Sequence, residues 1–262
     1  VKTFMYQGKA RVCGSSNTEN IRMNDSQIIW NGKRYKDDEI SWQSPVTGTV
    51  YGTIFNFKEQ LDAMNSKFKQ EPYQAEPNRP ILYVKPRNTI NAHLHEVQLP
   101  SDVKEVQINA TLGIVIGRNA TNISEQEALN YVEGYTVVND VTVPHDNFYR
   151  PNIKNKVRDG FCPVGPWIME KREVPNPEQL MVWTFINDEL VQVQNLNDLV
   201  RPIPKLLADV TEFMTLFKGD MLLVGVPHNP PTATAGDTVR IEIDQIGCLE
   251  NTFVADVGGG RL

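Results

Sequence analysis

The sequence predicts an α+β protein, mainly β, in which a mixed and partly rolled sheet is covered by a few helices. β-Branched runs recur along most of the 262 residues, and such residues suit a pleated, half-buried surface. Only three stretches carry a helical period. Those helices are too few and too unevenly spaced for the regular βαβ alternation of a doubly wound sheet.

Residues 1–43 read as a small β-rich N-terminal segment, polar in texture, with Asn31-Gly32 after Ile28-Ile29-Trp30 as a hairpin cue. The main domain, 44–262, opens at Ser44-Pro45-Val46-Thr47-Gly48. Its first helix is marked by Phe57, Leu61, Met64 and Phe68, which fall on one helical face. Strands are expected over 81–84, 106–116, 135–143, 221–226 and 239–246. A second helix is expected from the capping box Ser124-Glu125-Gln126-Glu127, through Leu129 and Val132, to Gly134. The third carries one apolar stripe from Ile203 through Leu206, Leu207, Val210, Phe213 and Met214 to Phe217, with Gly219 as its stop.

The net charge of -6 argues against a nucleic-acid surface, which needs clustered Lys and Arg. No apolar run has the length of a membrane helix, and the N-terminus lacks the apolar stretch of a signal peptide, so a cytoplasmic protein is expected. Cys13, Cys162 and Cys248 are far apart and odd in number, which excludes a disulfide framework and a cysteine zinc site. Cys162 reads as a buried, inert thiol. The nucleotide-binding, serine-hydrolase and zinc-protease signatures are absent, and Gly258-Gly259-Gly260 reads as a tail.

Candidate site residues are polar groups in positions where strands are ordinarily apolar. Alternation places Asn109 and Thr111 on one strand face. Asp140 lies deep in a β-branched run, where an isolated carboxylate is expensive to bury; it should meet a metal, a cation or hydrogen-bond donors. Downstream, Arg150, Lys154, Lys156 and Arg158 sit in a loop braced by Gly, Pro and aromatics, and Lys85 closes a strand just before Pro86 and Asn88. Arg and Lys are natural receptors for carboxylates, so together these predict a pocket for a small dianionic or trianionic substrate. His145 is the histidine expected near it; His93 and His95 read as loop residues and His228 as surface.

Several motifs occur in family order: Lys85-Pro86 with Asn88, Ile114-Val115-Ile116-Gly117, Gly134-Tyr135-Thr136 leading to Asn139-Asp140-Val141, and Lys156 to Asp159. Phe161-Cys162-Pro163-Val164-Gly165-Pro166-Trp167, Gly225-Val226-Pro227 and Ala235-Gly236-Asp237-Thr238-Val239 follow. With these the chain resembles the fumarylacetoacetate hydrolase family over roughly residues 45 to 255. The stretches 44–52 and 141–163 are similar to the isomerase/decarboxylase branch of homoprotocatechuate (4-hydroxyphenylacetate) degradation, particularly its N-terminal-type half. The resemblance implies a rolled mixed β-sheet core. It also implies isomerisation of 2-hydroxyhepta-2,4-diene-1,7-dioate, decarboxylation of 5-oxopent-3-ene-1,2,5-tricarboxylate, or both.

For that chemistry Lys156, with Lys85 or Arg150, is expected to supply fixed positive charge and Asp140 or His145 to move the proton, while Asn88, Arg150, Arg158, Asn109, Thr111 and His145 are expected to hold a di- or tricarboxylate 2-oxo or enol acid. The family's Mg2+ or Mn2+ is implied too, with Asp140 as ligand. Asn109 and Thr111, however, stand where the family's Glu-x-Glu pair belongs, so two of three ligands are missing. Region 57–74 lacks the lid histidine of hydrolytic members, and Val226 replaces a family threonine. Two other readings therefore stand beside the isomerase/decarboxylase: a non-catalytic partner of a metal-bearing paralogue, and a hydrolase of acylpyruvate-type diketo acids. A homodimer or a heteromer with that paralogue is the expected assembly.

Overall fold

The computed structural model describes residues 5–24, 27–145, 147–149 and 152–256. Two large sheets dominate it. The first has twelve strands, and its path runs from the edge strand Lys33–Tyr35 through Gln27–Trp30, Glu19–Asn24 and Tyr6–Val12 to Cys162–Glu170. It continues through Val132–Asn139, Ala110–Ile116, Met221–Leu223 and Val50–Ile54 to the opposite edge, Ile81–Lys85. The sheet is mixed: Met221–Leu223 runs parallel to Val50–Ile54, and Cys162–Glu170 runs parallel to Ile90–Ala92. The second sheet orders Glu189–Asn195, Met181–Ile186, Thr238–Ile243, Gly247–Ala255 and Val97–Leu99. Its inward residues, among them Val239, Ile241 and Leu249, share one apolar core with Leu112, Ile114 and Val137 of the first. Across that core the Trp167 indole donates to Ile246 O at 2.7 Å.

The N-terminal strands continue the main sheet, since Gly8–Ala10 pair with Trp167–Met169. Asn31 and Gly32 both take positive φ, as a two-residue hairpin turn requires. His93 anchors this segment. It sits in a turn, as expected, but is buried: its Nε2 meets Asp37 Oδ2 at 2.7 Å and its Nδ1 accepts the Glu250 N–H at 2.9 Å. His95 is exposed.

The expected elements differ most from the structure in four places. The helix expected at 57–68 is two short helices, Lys58–Ala63 and Asn65–Phe68, because the chain turns at Met64. Phe57, Met64 and Phe68 are nonetheless buried as the stripe requires. The capping box opens no α-helix: Ser124 Oγ bonds the Glu127 carboxylate instead of a backbone amide, and a 3-10 turn at Ala128–Tyr131 leads straight into the strand that begins at Val132. The last helix ends at Thr211, whose hydroxyl turns back onto Leu207 O at 2.9 Å, a bond that competes with helix continuation. Phe213 and Phe217 are consequently exposed. The strand expected at 106–116 is split, with Ile108 and Asn109 between Val106–Gln107 and Ala110–Ile116. Among the described residues no helix is long and apolar enough to cross a membrane. The glycine tail lies outside the described residues.

Candidate active site

Asp140 is the hub. It follows the end of strand Val132–Asn139, and its backbone is pinned to the neighbouring chain: its N–H donates to Asn109 O at 3.0 Å and its carbonyl accepts from the Asn109 amide at 2.9 Å. Its side chain is completely buried and meets two ammonium groups. Lys85 Nζ lies 2.8 Å from Oδ1, and Lys156 Nζ lies 3.0 Å from Oδ2. Lys85 comes from the end of the edge strand, and Lys156 from the last position of the short helix Ile153–Lys156. The ammonium of Lys85 also donates to Lys156 O at 2.6 Å and Val141 O at 3.2 Å, while that of Lys156 donates to Thr142 Oγ1 at 3.0 Å. One carboxylate thus serves two cations, and the cluster carries a net positive charge.

Burial disfavours ionisation of Asp140, but the facing Lys156 and Lys85 charges and the hydrogen bonds from Lys85 and Tyr83 outweigh it and bring the carboxyl down to about 2. For Lys156, burial and the like charge of Lys85 lower the ammonium's pKa against the pull of Asp140. Cys162, beside the cluster, is pushed up to about 12 by burial, in keeping with an inert thiol.

Sequence reasoning missed Tyr83. Its hydroxyl donates to Asp140 Oδ2, and the Lys156 ammonium sits 4.4 Å from the centre of its ring. Burial, then the Asp140 charge, push its phenol well above the ordinary tyrosine value, so it remains a donor. Tyr83 reaches this place because its strand partner is Gly52; a Cβ there would lie 2.0 Å from Tyr83 Cζ. The signal was present in the alternation, which puts Tyr83 and Lys85 on one face.

Lys156 also faces a cavity of about 250 Å³, together with Asn109, Thr142, His145, Gln60 and Lys67. Gln60 and Lys67 come from the helix pair after Phe57. Val226, Pro227 and His228 complete the wall, so His228 is half-buried at the cavity and not simply on the surface. The structure therefore brings together Lys156, Asp140, Lys85, Asn109 and His145.

It does not bring Asn88 or Arg158 to this cavity. The Asn88 amide is exposed and bonds Asp159 Oδ1 at 2.7 Å, and the Arg158 guanidinium pairs with Asp102 through two hydrogen bonds, 2.8 and 3.2 Å. Thr111 is buried, with its hydroxyl donating to Gly225 O at 2.5 Å, and holds the wall without lining the cavity. Arg150 lies outside the described residues.

The donor set does not fit a Mg2+ or Mn2+ ion. Such a cation demands several oxygen ligands, with carboxylates prominent among them. Among the described residues Asp140 offers the cluster's one carboxylate, and both of its oxygens already meet ammonium or hydroxyl groups. The Thr111 hydroxyl is committed to Gly225 O. Among the described residues no group of three or more His, Cys, Asp or Glu side chains could hold a metal.

Residues 49–254 match the family model described as fumarylacetoacetate (FAA) hydrolase C-terminal. The chain belongs to the fumarylacetoacetate hydrolase family. It is 36% identical over 234 residues to the 4-hydroxyphenylacetate degradation bifunctional isomerase/decarboxylase of Salmonella dublin, covering 88% of this chain and 53% of that protein. The chain thus spans about half the length of the curated relatives it matches first. Its fold is similar to that of the 5-carboxymethyl-2-hydroxymuconate delta-isomerase of Mycobacterium smegmatis, with a TM-score of 0.76 at 25% identity over 98% of this chain and 100% of the other. The maleylpyruvate hydrolase of Sphingobium sp. SYK-6, solved with manganese and pyruvate, shares the fold at a TM-score of 0.76 and 23% identity, over 95% of this chain and 99% of the other. The rolled mixed sheet inferred from sequence is thus the family's fold.

Proposed function

We propose that this chain is an isomerase/decarboxylase of small 2-oxo and enol di- or tricarboxylates, and that it works without a divalent metal. The substrates this reading favours are 2-hydroxyhepta-2,4-diene-1,7-dioate and 5-oxopent-3-ene-1,2,5-tricarboxylate, in cytoplasmic 4-hydroxyphenylacetate catabolism. The observation that carries the reading is the position of Lys156, a buried ammonium held by Asp140 and Thr142 that opens onto the cavity.

Both reactions pass through a dienolate. In decarboxylation the C–C bond to the departing carboxylate breaks and its electron pair flows through the alkene into the 2-oxo group. CO2 leaves and an oxyanion forms. A fixed ammonium in a partly dry site stabilises that oxyanion as it develops. In isomerisation the enol loses its hydroxyl proton and the distal end of the dienolate gains one.

Asp140 and His145 were both candidate proton carriers, and the geometry favours His145. The Asp140 carboxyl is fully buried, held near 2 and engaged by two cations, so its role is to fix Lys156. His145 lines the cavity, with its ring 4.9 Å from that of Phe148. Kinetics of Lys156→Met test this: kcat should fall at least 100-fold with the fold retained, and unchanged turnover would refute it.

A non-catalytic partner-subunit role beside a metal-bearing paralogue is the second reading, favoured by the neutral Asn109 and Thr111. Turnover by the isolated chain decides between them. A diketo-acid hydrolase is disfavoured by the absence of histidine from region 57–74.

A further inference from the structure

The sequence offered Arg158 and Asn88 as receptors for the substrate's carboxylates, and both point elsewhere. Another cation is better placed. Lys67 lines the same cavity as Lys156, from a different element. Its helix, Asn65–Phe68, is locked in rotation by buried Met64 and Phe68, the latter packed edge-on against Phe55 and Tyr73 at 5.3 and 5.8 Å. The Lys67 ammonium makes no hydrogen bond or ion pair among the described residues.

The charge pattern is selective. The chain carries 32 Asp and Glu, yet none of the described residues lining this cavity is acidic. The adjoining cavity, by contrast, sets Glu59, Asp62 and Asp198 around Lys58. A cavity whose described lining holds no acid, with a lysine from each of two elements, favours a ligand with two separated negative charges.

We propose that Lys67 is a specificity-determining residue that receives the carboxylate at the far end of the substrate, so that the site selects dicarboxylates over monocarboxylates. This rests on the reading that the Lys156 end binds a 2-oxo or enol acid. Lys67 lies at an exposed rim, so the selectivity is modest and salt-sensitive.

Calorimetric titration tests it with two probes that differ only at that end, 2-oxoheptanedioate and 2-oxohexanoate. The natural chain should bind the dicarboxylate roughly fivefold more tightly at low salt, and that preference should shrink at 0.5 M NaCl. Lys67→Met should bring the two affinities together, Lys67→Arg should keep them apart, and the charge-matched control Lys58→Met should keep the preference. Equal affinities in the natural chain, a preference that survives Lys67→Met, or binding of neither probe would overturn the proposal. Because the readout is binding, a protein that prefers the dicarboxylate yet turns over neither the dienol nor the tricarboxylate would overturn the proposed function and leave the subsite standing.

Discussion

Replacing Lys85 with Met separates the ionic core from the fold around it. Lys85 is fully buried and makes three contacts: Asp140 Oδ1 at 2.8 Å, Lys156 O at 2.6 Å and Val141 O at 3.2 Å. Met fills much of the same volume but supplies no charge or donor. Asp140 then retains Lys156 and Tyr83 alone, and two carbonyls lose a donor. Removing one partner of a buried ion pair costs about 3–5 kcal/mol, which for a domain of this size lowers Tm by roughly 6–20 °C. Urea unfolding of Lys85→Met, Asp140→Asn and the double variant measures the coupling. Asp140→Asn leaves Lys85 and Lys156 buried as like charges, so the second substitution should relieve part of the first. The double variant should be more stable than the sum of the singles predicts by about 2 kcal/mol. Additivity within ~0.5 kcal/mol would refute the three-residue cluster.

Acid stability follows from the same carboxylate. The folded pKa of Asp140 is about 2, below its ordinary value of 3.8, so its contribution is fully present above pH 4 and is lost as pH falls from about 4 to about 2. That is on the order of 2 kcal/mol, and Asp140→Asn should flatten the stability profile across this window in acid titrations of unfolding. Tyr83→Phe removes a hydroxyl that donates to a buried carboxylate and should cost about 1.5–3 kcal/mol in urea; Gly52→Ala, which drives a methyl into the Tyr83 ring, should be at least as damaging. Thiol titration with an aromatic disulfide should label exposed Cys13 in the native protein, while buried Cys162, with its thiol near 12, should react only on unfolding.

The strand backbone was largely legible because β-branched runs leave few alternatives: 81–84, 135–143 and 239–246 each overlap a strand of the structure. The hairpin Met181–Ile186 and Glu189–Asn195 went unread, although Asn187 and Asp188, both at positive φ, mark its turn. Its second strand alternates as a strand should but in reverse, with Val191 and Val193 exposed and Gln192 and Gln194 turned inward. Local pattern misled where tertiary structure set the outcome. A good capping sequence at Ser124 could not form a helix when Val132 was already committed to pairing with Ile116.

For the site, the cost of burying an isolated carboxylate correctly required a partner for Asp140, and both Lys85 and Lys156 answer it. What sequence could not give was side-chain direction. Arg158 lies two residues beyond Lys156 yet reaches Asp102 at the surface. Tyr83 could have been found by strand alternation with Lys85, whereas nothing local connects Lys67 to Lys156; the folded chain alone brings them to one cavity.

The central claim, that an ammonium cluster does the work expected of a metal, is tested most directly by following dienol absorbance of 2-hydroxyhepta-2,4-diene-1,7-dioate with the isolated chain. The protein is first dialysed against EDTA, and Mg2+ or Mn2+ is then restored. The cluster predicts loss of absorbance above the uncatalysed rate in EDTA, with no gain on adding either ion. Turnover that appears only when metal is restored would contradict it.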